Sequence, residues 1–335
     1  MAATEATVVG REEVLQAAAG LQGRLHRTPT LSARSLGPGI RLKAELLQRT
    51  GSFKPRGVLT RLAALTPEER ERGVIGISAG NHAQALAWGA ASEGVDALVV
   101  MWRGASEAKI AAARSYGAAI DLEAGDPAGA FDRLGVLIEE TGRTLVHPFD
   151  DPLVIAGQGT VALELLEDAP EVETILVPGG GGGLVSGVAA GAPGRQVICV
   201  EPEGSRAIHD GLEAGRSVPV TPVSVADGLS APFAGENALA TLRAAGAESI
   251  LVSEEAIEEA FRWLYGRAKL ACEPAAAVGL APLLTGQIER GKTAVCGATL
   301  PPETTTAVFP RSIWPVRSGA RPTAAAGSHA SFARP

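Results

Sequence analysis

From Val74 to Val200 the chain repeats one rhythm, a short apolar run, a turn, then an alanine-rich stretch of helical period. The pattern predicts strands over residues 74–78, 97–101, 119–122, 144–146, 174–177 and 196–200, and helices over 81–93, 106–116, 127–141 and 155–167. Parallel strands need a long crossover, and a helix is the usual one. The rhythm therefore predicts an α/β fold of mainly parallel sheets covered by helices. Thr66-Pro67-Glu68-Glu69 has the spacing of a capping box with proline at the first helical position, so a further short helix is expected to start there.

The 335 residues are 46% hydrophobic but only 4% aromatic, enough for two cores built mainly of Ala, Val, Leu and Ile. A net charge of −7, with scattered basic residues, argues against a nucleic-acid surface. Cys199, Cys272 and Cys296 are widely spaced in apolar runs, which suits neither a disulfide framework nor a zinc site. Residues 1–11 lack the basic and apolar regions of a leader, and no stretch is long and apolar enough to span a membrane. A cytoplasmic protein acting on a small molecule is expected. Residues 301–335, rich in Pro, Ala, Ser, Thr and Arg and without periodicity, read as a disordered tail.

Chemistry enters with Lys54, in Thr50-Gly51-Ser52-Phe53-Lys54-Pro55-Arg56-Gly57, where a lone lysine lies among small, turn-forming residues. Gly179 to Gly183 directly follow an apolar strand and precede a helix-capable run at 184–190, the arrangement of a backbone nest for an anion. A flexible linker is the bland alternative for these glycines. An amine nucleophile plus a phosphate cradle with no Lys-Thr attached suggests a phosphorylated aldehyde held as a Schiff base, which is pyridoxal 5′-phosphate. Ser78-Ala79-Gly80-Asn81-His82-Ala83-Gln84 lies where a strand gives way to a helix, so its amides suit a substrate carboxylate. Taken alone, the same stretch is an ordinary connection capped by Ser78 and Asn81.

Together with His147-Pro148-Phe149-Asp150, Gly157-Gln158-Gly159-Thr160, Ala226-Asp227-Gly228 and Glu273-Pro274, these segments resemble the serine/threonine dehydratase branch of the fold-type II pyridoxal-phosphate enzymes. The resemblance covers residues 20–299, with the motifs in the family's order. It implies the tryptophan synthase β-like fold, with a large domain from residues 1–46 and 150–300, a small domain from 47–149, and the cofactor in the cleft between them. It implies that Lys54 carries the Schiff base and removes the Cα proton, that Phe53 lies beside the ring and that Asn81 contacts the ring hydroxyl. Gly180, Gly181, Gly182, Gly183 and Leu184 would hold the phosphate, with Gly228 and Glu273 also at the cofactor. Ser78, Ala79, Gly80, Asn81 and His82 would hold the substrate carboxylate. Cys296 matches the position facing the pyridine nitrogen; a neutral thiol there cannot keep that nitrogen protonated, which favours β-elimination over transamination. A buried strand cysteine is its plain alternative. The implied activity is conversion of L-threonine or L-serine to a 2-oxo acid and ammonia, by a homodimer or homotetramer.

Departures from the family sharpen this. Ala79 stands where serine racemases carry a second serine, the acid/base opposite the lysine, so racemisation should be poor. Members with a divalent cation pair the Glu-Pro segment with an acidic residue six positions on; here Glu201 is followed by Ala207, no metal is expected, and Glu201 reads equally as a solvated strand end. Thr299 replaces the usual Asn, and the tail is too short for a C-terminal regulatory domain. Hydroxyaspartate dehydration, serine racemisation and β-replacement are the nearest alternatives, although His82, where β-replacement enzymes usually have Thr, favours dehydration. From another class, residues 286–293 match a P-loop, but a helix-like run precedes them and a strand-like run follows, the reverse of what a P-loop needs. His26, His147 and His209 read as structural or exposed.

Overall fold

The structure, a computed structural model, describes residues 6–296. The described strands are β1 (Thr30–Ser32), β2 (Arg41–Lys43), β3 (Val74–Ile77), β4 (Ala97–Trp102), β5 (Ala119–Ala124), β6 (Thr144–Leu145), β7 (Thr174–Pro178), β8 (Gln196–Pro202), β9 (Glu248–Val252) and β10 (Thr293–Cys296). They form a six-stranded sheet in the order β1-β2-β10-β7-β8-β9 and a four-stranded sheet in the order β5-β4-β3-β6. Every neighbouring pair is parallel except β1 with β2. All residues of β3 and β10 are buried, as parallel strands covered on both faces should be.

The expected strands and helices are present, with shifted ends. Ser78 lies beyond β3, and β5 runs on to Ala124. The helix expected from residue 155 starts at Pro152, because Asp151 accepts hydrogen bonds from the amides of Leu153 (2.8 Å) and Val154 (3.2 Å) and proline tolerates the first turn. The capping box at Thr66 is formed, with both reciprocal bonds to Glu69. The three-residue strands β1 and β2, the strand β9, and the helices Arg11–Leu21, Glu236–Ala245 and Glu254–Trp263 have patterns too short or too mixed to have been expected. The tail at 301–335 and Thr299 lie outside the described residues.

One helix sets the distances that matter. Pro152–Asp168 packs against both Lys54–Ala63 and Gly183–Gly191. It meets the first at Gly157, where an added methyl would lie 2.6 Å from the Arg56 carbonyl oxygen and from Gly57 Cα. It meets the second at Gly159, where a methyl would lie 2.6 Å from the Gly187 carbonyl oxygen; Gly187 in turn leaves only 2.4 Å to the Ile155 carbonyl oxygen. No side chain fits at any of these contacts, so backbone lies directly on backbone. Gln158, between the two glycines, accepts from the Gly57 amide at 3.3 Å.

Candidate active site

Lys54 is the first residue of the helix Lys54–Ala63, with Phe53 at the N-cap and Pro55 in the first turn. The chain reaches it through a 3-10 turn, Arg49–Gly51, in which Thr50 has a φ of 58° and Gly51 a φ of 72°. A β-branched residue held in the left-handed region costs about 1–3 kcal/mol, and such strain concentrates at functional sites. The Lys54 ammonium lies 5.2 Å from the centre of the Phe53 ring and donates to the Pro148 carbonyl at 2.7 Å. Burial pushes it down to about 8, against the pull of the Glu273 carboxylate. An amine in this range is neutral often enough near neutral pH to attack a carbonyl.

Residues 147–150 join the amine to the glycine loop. The Nδ1 of His147 accepts from the amides of Asp150 (2.7 Å) and Phe149 (3.3 Å), which leaves the proton on Nε2. Burial, then the nearby Lys54, pushes this ring down to about 4, so it is neutral. Phe149 stacks edge-on to His147 with ring centres 4.6 Å apart and fills the space over the loop: a methyl on Gly181 would lie 2.3 Å from the Phe149 ring, and one on Gly183 would lie 2.7 Å from its carbonyl oxygen. Asp150 caps the helix Glu236–Ala245, accepting from the amides of Glu236 (3.0 Å), Asn237 (3.0 Å) and Ala238 (3.3 Å). The sequence reading gave His147 and Phe149 no role at the site. A contact across 94 residues, that of Lys54 with Pro148, brings this segment to the amine.

The glycine run forms the entry to the helix Gly183–Gly191. Gly182 is its N-cap with a φ of 100°, open to glycine almost alone, and no side chain caps the first turn. The first-turn amides therefore have no intrahelical acceptor and no side-chain cap, the arrangement that receives an anion. Leu184 is buried in the same cluster as Cys296, with Phe53 packed against it.

The turn at residues 78–82 behaves differently from an ordinary capped connection. Gly80, not Ser78 or Asn81, is the N-cap of the helix Asn81–Glu93, and it has no side-chain cap bond. The Ser78 hydroxyl instead accepts from the Gly80 amide at 3.0 Å. Ser78, Ala79 and Gly80 are half-buried, and a methyl on Gly80 would meet nothing within 4 Å. Asn81 turns its amide to Glu273 (Nδ2 to Oε1, 2.9 Å), and Gly228 packs against that same carboxylate. His82 is buried; burial, then Lys54, pushes it down to about 3. Its Nε2 donates to the Val146 carbonyl at 2.9 Å, so Nδ1 is left as an acceptor without a partner.

Cys296 ends β10, fully buried, and burial pushes its thiol up to about 12. Ser52 Oγ, Thr50 Oγ1, His82 Nδ1 and Gln84 Nε2 are buried polar atoms without a hydrogen-bond partner, and all four belong to the two segments beside Lys54. Such orphaned groups, an amine of lowered basicity and a glycine cradle at a helix start fit a phosphorylated aldehyde.

Two other expectations resolve. Glu201 is not a solvated strand end: it is fully buried, accepts from the amides of Ile208 (2.9 Å) and His209 (2.8 Å), and burial pushes it up to about 7. The first turn of the helix Ala207–Ala214 thus supplies the amides that hold this carboxylate. In the P-loop match, Gly286 ends the helix Ala281–Thr285 with a φ of 78°, and the following residues lead into β10, so no helix start is available there for a phosphate.

A profile of the family described as "Pyridoxal-phosphate dependent enzyme" matches residues 21–299. An L-threonine ammonia-lyase of Thermotoga maritima is 40% identical over 290 residues, 84% of this chain and 72% of that protein. The structure resembles a T.th. threonine deaminase with a TM-score of 0.79 at 39% identity, covering 86% of this chain and 96% of that one. It also resembles maize serine racemase, with a TM-score of 0.83 at 32% identity, covering 89% and 96%.

Proposed function

The chain belongs to the pyridoxal-phosphate-dependent enzyme family, and on that premise we propose that it is an ammonia-lyase converting L-threonine, and L-serine, to the 2-oxo acid and ammonia. The observation that carries this is the pairing of a desolvated, partly neutral Lys54 amine with a glycine-built helix start, both docked on the helix Pro152–Asp168. Bound there, pyridoxal phosphate supplies an electron sink conjugated to the substrate Cα. Lys54 anchors it and serves as the base at Cα. Gly180, Gly181, Gly182, Gly183 and Leu184 would receive the phosphate, with Phe53 beside the ring and Cys296 at its nitrogen. Asn81 would contact the ring hydroxyl, with Gly228 and Glu273 also at the cofactor, and the Asn81–Glu273 hydrogen bond joins two of these residues. Ser78, Ala79, Gly80, Asn81 and His82 bind the carboxylate, with the open space at Gly80 to receive it.

In this reading residues 1–46 and 150–300 make the large domain and 47–149 the small one; the separate sheets, one built from strands on both sides of the other in sequence, support the division. No helix among the described residues is long and apolar enough to cross a membrane. We place the enzyme in the cytoplasm, as a homo-oligomer. Serine racemisation is the second reading, favoured by the likeness to maize serine racemase and opposed by Ala79.

The test is 2-oxo acid and ammonia release with added pyridoxal phosphate from L-threonine, L-serine and L-threo-3-hydroxyaspartate. Equal amounts of both products from threonine support the proposal. Cofactor binding without release, or turnover retained by Lys54→Ala, overturns it.

A further inference from the structure

Behind the site lies a closed group of charges. Arg56, two residues past Lys54 and only 2% exposed, donates to both oxygens of Glu45 at 2.9 Å and to both of Glu164 at 2.7 and 3.0 Å. Lys43, 0% exposed, donates to Glu164 at 2.7 Å and to the Thr28 carbonyl at 2.7 Å. The Thr28 hydroxyl donates to Glu45 at 2.5 Å, and the Thr160 hydroxyl accepts from Arg56 at 3.0 Å. Two cations and two carboxylates sum to zero.

Their position is set by register. Lys43 on β2 is the partner of Cys296 on β10 in a parallel pair, so both side chains leave the sheet on one face. Lys43 reaches the helix Pro152–Asp168 on that face, and the helix Lys54–Ala63 supplies Arg56 from above. On the other side, Val177 and Leu184, from the strand and helix packed beside it, bring only apolar groups to the same cluster. The charged groups facing the thiol are therefore Lys43, Glu45 and Arg56, with Glu164 closing the network.

Three buried charges, closed by a Glu164 carboxylate that is 18% exposed, rarely stabilise a fold more than apolar packing would, so their presence asks for another use. We propose that Lys43, Glu45, Arg56 and Glu164 form an internally neutralised tetrad that keeps net charge away from the Cys296 thiol and, through it, from the ring-nitrogen end of the cofactor. The second half rests on the reading of Cys296 given above. With no net negative charge behind it, the ring nitrogen gains no extra proton affinity, which deepens the preference for elimination.

The test uses the apoprotein with Cys199→Ala and Cys272→Ala, leaving Cys296 as its one thiol. The thiolate fraction, proportional to the ionisation constant well below the thiol's own value, is compared by absorbance at one fixed pH at which circular dichroism confirms the fold, against the variant that also carries Cys296→Ala as the blank. Glu45→Gln, leaving one net positive charge, should raise the ionisation constant at least tenfold, whereas Lys43→Met, leaving one net negative charge, should lower it. The pair Lys43→Met with Glu164→Gln, again neutral, should restore it, and Lys43→Arg should leave it unmoved. A merely loosened core moves both single variants in the same direction. That result, or no restoration by the pair, overturns the tetrad. If the thiol follows charge but the absorbance of bound pyridoxal phosphate keeps its pH response in every variant, the tetrad stands as a regulator of the thiol and the placement of Cys296 at the ring falls.

Discussion

Asn81 donates to Glu273 at 2.9 Å, linking the first residue of a helix beside the four-stranded sheet to the N-cap of the short helix Pro274–Ala277 beside the six-stranded one. The same Glu273 carboxylate is the charge that favours the protonated Lys54. One carboxylate thus links the two sides and opposes the burial that lowers the amine.

Glu273→Gln keeps an acceptor for Asn81 but removes the negative charge. Lys54 should then fall below about 8, since burial acts unopposed. The pH midpoint for capture of pyridoxal phosphate by the apoprotein should move down, with faster capture at pH 7. An unmoved midpoint would show that Glu273 is too well screened to act on the amine.

Two glycines should respond differently. A methyl at Gly181 meets the Phe149 ring at 2.3 Å, so Gly181→Ala should cost about 1–3 kcal/mol by overpacking and weaken cofactor retention. A methyl at Gly80 meets nothing, so Gly80→Ala should lose only the N-cap preference of glycine over alanine, about 1 kcal/mol or less, without overpacking. If the carboxylate binds there, KM for L-threonine should rise by about tenfold or more with kcat less affected. Unchanged KM would move the carboxylate elsewhere.

Ala79→Ser places a hydroxyl beside Ser78 and Gly80 on the half-buried turn. A positioned proton donor contributes about 10²–10⁴-fold, so D-serine formation from L-serine should rise at least tenfold relative to pyruvate. Comparable D-serine and pyruvate formation by the parent enzyme would refute the argument.

Glu201 makes stability depend on pH. Its folded value, about 7, lies above the ordinary 4.5, so the folded state holds its proton more tightly. Stability from this group is fully present below the ordinary value and is lost as pH rises through about 7, on the order of 3 kcal/mol. Glu201→Gln should flatten the difference in unfolding free energy between pH 5 and pH 8. An equal difference in both proteins would place the pH dependence on other groups.

What could be read from the sequence was local. The strand rhythm, the capping box at Thr66, the lone Lys54, the glycine run and the turn at residues 78–82 all lie within a few neighbours along the chain. What could not be read depends on contacts between distant segments. Pro148 accepts from Lys54 across 94 residues, and Asn81 meets Glu273 across 192. Glu201 suggested solvent because carboxylates usually lie there, yet the helix amides of Ile208 and His209 draw it inside. Arg56, Lys43 and Glu45 are residue types that usually lie at a surface; only the packing of β2, β10 and two helices encloses them, with Glu164, 18% exposed, closing the group.

The helix Pro152–Asp168 works as a gauge block. Because Gly157 and Gly159 bring main chain against main chain, the separation of the Lys54 helix from the helix that the glycine run opens is a property of the polypeptide itself, indifferent to rotamers. If the cofactor binds as proposed, aldehydes whose phosphate is carried on a longer or shorter arm should bind more weakly, because repacked side chains do not change that spacing.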